Sequence, residues 1–219
     1  MRSEIAAGLC FVMLAACQMA QARITKITIV RIESPTFEGR SFGKAGQYEK
    51  LAGRIAGEVD PADPHNSIIT DISLAPRNAR GRVEYETDIM ILRPIDRSAG
   101  NHKVWYELTN HGAILAFQQL NDASSGGNDP SKVPDAGNGF LMRQGFSILF
   151  SGWDTIAAAG GGRFLMKSPV AVNPDRSPIM GPALEEFSID DNGTTIGSLT
   201  YPAATLGKSQ ATLTMRVRY

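Results

Sequence analysis

The chain has 219 residues with 22 acidic and 22 basic side chains, and no block of like charge interrupts that balance. This excludes the charge footprint of a nucleic-acid binder or an anionic-membrane binder. Abundant glycine (22 residues) beside 7% aromatic residues describes a turn-rich globular chain, large enough for one sizeable core.

The first four residues, Met1-Arg2-Ser3-Glu4, are polar with one basic side chain. An apolar run over residues 5–16 and the small-x-small site Ala20-Gln21-Ala22 follow. That order predicts a signal peptide over residues 1–22, with the globular part starting near Arg23. The apolar run is too short for a bilayer, which needs about 20 residues. A second cut is open as well, because Leu14-Ala15-Ala16-Cys17 resembles the bacterial lipobox. Lipidation at Cys17 would tether the chain to a membrane surface, the only membrane contact expected. Either route exports the protein to the periplasm or the exterior, lipid-anchored in the second case. Both cysteines, Cys10 and Cys17, lie in the leader. Cleavage after Ala22 would leave no thiol, disulfide or cysteine-based zinc site.

Residues 24–32 read as a β-branched strand ended by Pro35, and Gly39, Gly43 and Gly46 make the next stretch a loop. Residues 48–59 resume an extended pattern until Asp60-Pro61-Ala62-Asp63-Pro64 forces a turn. Residues 68–74 form a short strand candidate, joined by a turn at 78–81 to an antiparallel partner over 82–92. In that partner Val83, Tyr85, Thr87, Ile89 and Ile91 alternate with Glu84, Glu86 and Asp88, so one face is wet for most of its length. Residues 104–108 are almost continuously apolar, as in a strand covered on both sides, and end at Asn110-His111-Gly112. A loop over 124–139, a helix over 140–144 stopped by Gly145, and a second buried strand over 146–150 follow. Strand, helix and strand compose a parallel crossover ending at Gly152-Trp153-Asp154. Beyond it, Gly160-Gly161-Gly162 reads as a joint and Asn192-Gly193 as a hairpin turn. A final strand with Leu213, Met215 and Val217 runs directly to Tyr219, which predicts that the domain continues past that point.

Gly39-Arg40-Ser41-Phe42-Gly43 has the G-x-S-x-G spelling of a nucleophile elbow. An elbow needs a buried strand before it and a helix after it, and Ser41 has neither, so a glycine-rich turn is predicted there. Of three histidines, His65 falls in the proline turn, His102 precedes a strand and His111 closes the apolar strand. His111 and the backbone amide of Gly112 are therefore candidates for facing a reacting oxyanion. The alternative for His111 is a turn residue bonded to a nearby carbonyl. Glu58, Asp60, Asp63, His65 and Asp71 read either as a solvated acidic turn or as a calcium binder. No paired metal-ligand spacing and no phosphate loop is present, so no cofactor or metal is expected.

Five blocks occur in order: Ser41-Phe42-Gly43-Lys44-Ala45-Gly46-Gln47-Tyr48-Glu49, Gly57-Glu58-Val59-Asp60-Pro61, Ala75-Pro76-Arg77-Asn78-Ala79-Arg80-Gly81-Arg82-Val83-Glu84-Tyr85, Gly137-Asn138-Gly139-Phe140-Leu141 and Phe150-Ser151-Gly152-Trp153-Asp154. Together they resemble the front part of large secreted bacterial α/β-hydrolase domain-containing proteins. The likeness runs from about residue 24 to residue 154 and continues weakly to the end. It implies a β-rich α/β fold: antiparallel strands over about 23–100, the start of a parallel sheet over about 101–154, and an insertion or β extension over about 155–219. It also implies that residues 103–110 are the strand whose following loop supplies part of the oxyanion hole. In the family that loop usually reads Asn-Arg-Gly, where this chain has Asn110-His111-Gly112. Members carry the nucleophile later, in a Gly-Glu-Ser-Gln-Ser-Gly-like elbow, with acid and histidine later still; nothing between Asp154 and Tyr219 matches. The resemblance thus implies serine ester hydrolase ancestry in an incomplete domain over residues 23–219. Such a chain would be inactive alone and would take a small-molecule ester only when completed by a C-terminal half. The rival expectation is a non-enzymatic, exported or lipid-anchored β-rich module that binds a glycan or an envelope partner.

Overall fold

The computed structural model describes residues 22–124, 127–187, 196–205, 207, 212 and 214. The leader through residue 21, the Asn192-Gly193 hairpin and the strand expected at Leu213, Met215 and Val217 lie outside the described residues. Two compact units are present, Met1–Ala171 and Val172–Tyr219, and their boundary falls inside the stretch expected as an extension. The second unit holds turns among its described residues, such as the Val172–Pro178 bridge and the Glu185 carboxylate accepting from Thr200.

The first unit is β-rich, with a mixed sheet of six strands among the described residues. The strands are β1 (Arg23–Glu33), β2 (Tyr48–Val59), β3 (Val83–Pro94), β4 (Val104–Leu108), β5 (Ser147–Ser151) and β6 (Met166–Lys167). Their order is β1-β2-β3-β5-β4, and β6 also pairs with β3. All pairings are antiparallel except β4 with β5, which is parallel. Antiparallel strands thus lead into a parallel pair, as the sequence predicts, with α1 (Ala116–Asn121) and α2 (Phe140–Arg143) lying between β4 and β5 in the chain. The β2–β3 ladder runs without a bulge from Tyr48↔Pro94 to Val59↔Val83. β1 follows β2 less regularly, with shifts at Ile24/Lys26 and Ile29/Arg31.

One face of β2, β3 and β5 carries the core. Tyr48, Met90, Leu92, Ile148 and Phe150 meet Phe117 of α1 and Leu141 and Met142 of α2 there, all but inaccessible to solvent. The glycine-rich loop that spells G-x-S-x-G serves this core. Phe37, Phe42 and Ala45 point inward from it, and Phe42 packs edge-on against both Phe37 and Tyr48 at 5.6 Å. Burying such a ring contributes about 1.5–3 kcal/mol, and each edge-to-face pair adds roughly 0.5–1.5 kcal/mol. Burial pushes the Tyr48 phenol well above its ordinary pKa, so it stays a hydroxyl. Its oxygen lies 3.0 Å from the Met142 carbonyl and 2.9 Å from that of Phe146, fastening the α2–β5 connection.

Lys50 shares this core-facing side and is only 1% exposed. Its ammonium lies 2.9 Å from Glu33, 2.7 Å from Asp129 and 2.9 Å from the Pro130 carbonyl. Arg31 grips the same Asp129 at 2.6 Å. Burial raises the Glu33 carboxyl, but bonds from Thr36 and Lys50 outweigh it and leave the group below its usual range. The desolvation of a buried cation is offset here because every proton of the ammonium has an acceptor.

Two expectations are corrected. Residues 68–74 form no strand; a one-turn helix at Ile72–Leu74 follows Asp71, whose backbone is left-handed, and Ile68 is 87% exposed. β3 instead pairs with β2 along its whole length, which removes the edge that a short strand would need. β4 is not covered on both sides: Val104, Trp105, Tyr106 and Leu108 are exposed, because α1 and α2 pack over β2, β3 and β5 and β4 gives no residue to the core cluster. Helix α1 and strand β6 carried no signal in the sequence reading. The first amides of α1 are held by the remote carboxylate of Glu107, 2.7 Å from Leu115 N and 3.0 Å from Ala116 N.

Gly53 of β2 lies under β1, and a Cβ there would overlap the Thr28 carbonyl oxygen. Gly53→Ala is therefore expected to lower stability by about 2 kcal/mol, the cost of overpacking, as read by chemical denaturation. Lys50→Met keeps the volume but removes the cation paired with Glu33 and leaves Asp129 with Arg31 alone. We expect a loss of about 2 kcal/mol, below that of a fully buried pair because both carboxylates keep some water. A variant as stable as the parent would contradict this.

Candidate functional site

Because β4 and β5 run parallel, their carboxyl ends open on the same side of the sheet. The chain leaves β4 through Asn110-His111-Gly112-Ala113, where Asn110 and Ala113 exchange backbone hydrogen bonds of 2.8 and 2.9 Å. Both central residues are left-handed, with φ of 46° at His111 and 83° at Gly112. Positive φ at both centres is the type I′ arrangement, which asparagine and glycine adopt most readily and which histidine tolerates better than most other residues. Gly112 fits because a Cβ would stand 2.8 Å from Arg163 Cβ and 2.9 Å from the Phe164 carbonyl.

The chain leaves β5 through Gly152-Trp153-Asp154, and this exit clamps the first one. The Trp153 indole donates to the Thr109 carbonyl at 2.6 Å. His111 Nδ1 lies 2.6 Å from Asp154 Oδ2, while Asp154 Oδ1 accepts from the amides of Ile156 and Ala157 at 2.8 and 3.0 Å. A third segment closes the group: Arg163 donates to the His111 carbonyl at 2.6 Å, and Phe164 N donates to the Gly112 carbonyl at 3.0 Å.

Asp154 is 5% exposed and His111 66%. Burial raises the Asp154 carboxyl, but the bonds from His111, Ile156 and Ala157 outweigh it and hold the group below the usual carboxylate range. At neutral pH Asp154 is therefore ionised and can only accept. His111 Nδ1 must then carry the hydrogen, which in a neutral imidazole leaves the lone pair on Nε2. Among the described residues nothing bonds to that nitrogen. The arrangement is an anchored, charge-backed imidazole with one free basic atom at the ends of two parallel strands.

The other candidates are placed elsewhere. Gly112 is in the expected loop but buried beneath Arg163 and Phe164. Ser41 is exposed and bridges to Gln47 in the turn that seats Phe37 and Phe42, with no strand-to-helix elbow around it. His102 precedes β4, at its opposite end from His111. His65 bonds to Asp63 within one short turn. In the acidic stretch Glu58 is bound by Arg23, Asn78 and Arg80, and Asp60 by Arg82. Among the described residues no three histidine, cysteine, aspartate or glutamate side chains gather to hold a metal ion, so the calcium alternative loses its ligand set. Asp154 and Arg163 were not among the sequence candidates. The signal that pointed to Asp154 was its place directly after a second apolar strand.

No protein-family model, curated protein or solved structure matches the chain.

A carboxyl held below its ordinary range stabilises the fold above its unfolded pKa, and that contribution disappears as pH falls through the folded value. The stability difference between the parent and Asp154→Asn is expected to shrink as pH falls below about 4. Denaturation at a series of acidic pH values reads this directly. A difference that stays the same or grows below that pH would show that Asp154 is not stabilised as an anion.

Proposed function

We propose that this chain is the front portion of an exported serine ester hydrolase of the α/β-hydrolase type. In this reading it builds the sheet up to β4 and the loop on the oxyanion side, and it is inactive alone because the nucleophile elbow belongs to a further strand. The observation that carries the proposal is the outer edge of β4, with which no strand pairs among the described residues. Since β5 lies between β3 and β4, a further strand can extend the parallel pair only beside β4. Val104, Tyr106 and Leu108 on one face of β4 and Trp105 on the other are all exposed. A parallel strand apolar on both faces is made to be covered. Addition there would turn the carboxyl end of β4 into a topological switch point, the place where open α/β sheets bind ligands. The turn at His111 and Gly112 stands at that end. The leader pattern of residues 1–22 supports export, and the ordered motif blocks support the ester-hydrolase class.

A second reading, an exported or lipid-anchored β-rich binding module, is favoured by how well the first unit satisfies itself. Among the described residues every buried side-chain nitrogen and oxygen has a hydrogen-bond partner.

The two readings separate in solution. The hydrolase front is expected to self-associate through β4, and Tyr106→Lys with Leu108→Lys to return it to a monomer in sedimentation. A binding module is monomeric from the start. The isolated chain is also expected to take no label from a serine-directed fluorophosphonate and to leave unactivated carboxylic esters intact. Labelling that Ser41→Ala abolishes would overturn the proposal.

A further inference from the structure

We infer that His111 and Asp154 form a working acid–base pair, in which His111 Nε2 exchanges protons with the reacting oxygens of an ester and Asp154 is its positioning residue. This deepens the hydrolase reading and rests on it for the substrate class. It departs from the resemblance, which locates the histidine and the acid well beyond residue 154.

Three independent features of the geometry converge on it. The imidazole is held by the Asp154 carboxylate at Nδ1, and the His111 backbone is held by Arg163 donating to its main-chain carbonyl. The backbone beneath it is held left-handed at φ 46°, where local preference favours asparagine or glycine. A non-glycine residue fixed in that region by its surroundings is a frequent mark of a functional position. Finally, the pair joins the exits of two different parallel strands, at the end of the sheet where open α/β sheets bind ligands.

His65 supplies the contrast. It too contacts an aspartate, Asp63, at 2.9 Å, but its side chain is 93% exposed and both residues belong to one turn. Both aspartates cap backbone amides, but Asp63 caps the amide of its own histidine partner, so one local turn accounts for both contacts, whereas Asp154 caps its own exit and reaches His111 from another strand.

The proton steps balance without a cofactor. An oxygen nucleophile next to Nε2 passes its proton to that nitrogen as its oxygen bonds to the ester carbonyl carbon. Asp154 keeps Nδ1–H and offsets the charge of the resulting imidazolium. Nε2 then returns the proton to the leaving alcohol oxygen as the C–O bond breaks. The nucleophile comes from the strand that adds beside β4.

The pair is testable in the chain as it stands, with p-nitrophenyl acetate as probe. Nε2 attacks the acetyl carbon, p-nitrophenolate leaves, and the acetyl-imidazolium gives up its Nδ1 proton to water; the adduct is trapped early by acid quench, before water removes the acetyl group. We expect His111→Gln to slow p-nitrophenolate release about fivefold. His65→Ala with His102→Ala should leave it nearly unchanged, and the acetyl group should map to residue 111 by mass spectrometry. Asp154→Asn should slow release without unfolding the chain, because an amide no longer requires the hydrogen on Nδ1 and the Nε2–H tautomer returns; nitrogen NMR of the imidazole reads that change. If Asp154→Asn fails to fold, His111→Gln and the adduct position decide alone. Equal release by the parent and His111→Gln, or an Asp154→Asn variant that is folded and as fast as the parent, overturns the pair. Those results would leave the hydrolase front standing, whereas fluorophosphonate labelling of a serine would remove the inactive front and leave the pair.

Discussion

Strand β5 is five residues long and pairs on both edges, antiparallel with β3 and parallel with β4. Both the core and the meeting of the two strand exits hang from this double pairing. It brings Ile148 and Phe150 into the core against α1 and α2, and it sends residues 152–154 out beside the turn that follows β4. Without it the antiparallel strands would keep an open edge and β4 would have no partner. A short strand can hold such a position because both its side chains and its backbone are used at once: Phe150 packs on Phe117 at 5.8 Å while its neighbours bond to two strands.

The polar contacts of the first unit follow a similar logic of joining distant parts of the chain. Lys50 and Arg31 meet Asp129 across the core-facing side, and Tyr48 reaches the end of α2 and the start of β5. Each fixes a loop to the sheet at a point that hydrophobic packing alone would leave free to slide. The His111–Asp154 contact belongs to the same class by geometry, yet differs in leaving one partner mostly exposed with an unused nitrogen. The His65–Asp63 pair shares that asymmetry, and what sets His111–Asp154 apart is that it ties together the exits of two different strands.

Much of this was legible in the sequence, for reasons that can be named. The extended stretch over residues 48–59 matches β2 at both ends because a loop rich in glycine precedes it and a proline turn follows it. The parallel crossover was readable from two apolar runs separated by a short helix with a glycine stop at Gly145, whose φ is 76°. Residues 68–74 misled because β-branched residues suit a strand only where a partner edge is free, and β2 had already taken it. The apolar run at 104–108 was placed in a strand correctly, but apolarity does not reveal whether the covering layer is present. Helix α1 was invisible because its amides are held by Glu107, a residue of the preceding strand. The same gap hid the partner of His111. That two strand ends meet is a property of parallel pairing, so Asp154 could be seen only as the close of a motif and Arg163 not at all.

The insertion of β5 also sets an order of events during synthesis. β3 and β4 are separated by only nine residues, 95–103, yet they do not pair with each other. The partner of both is made about fifty residues after β3 is complete, roughly three to ten seconds later at ordinary translation rates. Through that interval a local hairpin of β3 with β4 is the nearest available alternative, cheap in loop closure and closed to β5. The chain must therefore delay its most local pairing in favour of a later one, and the seconds before Ser147 emerges are when it is easiest to divert.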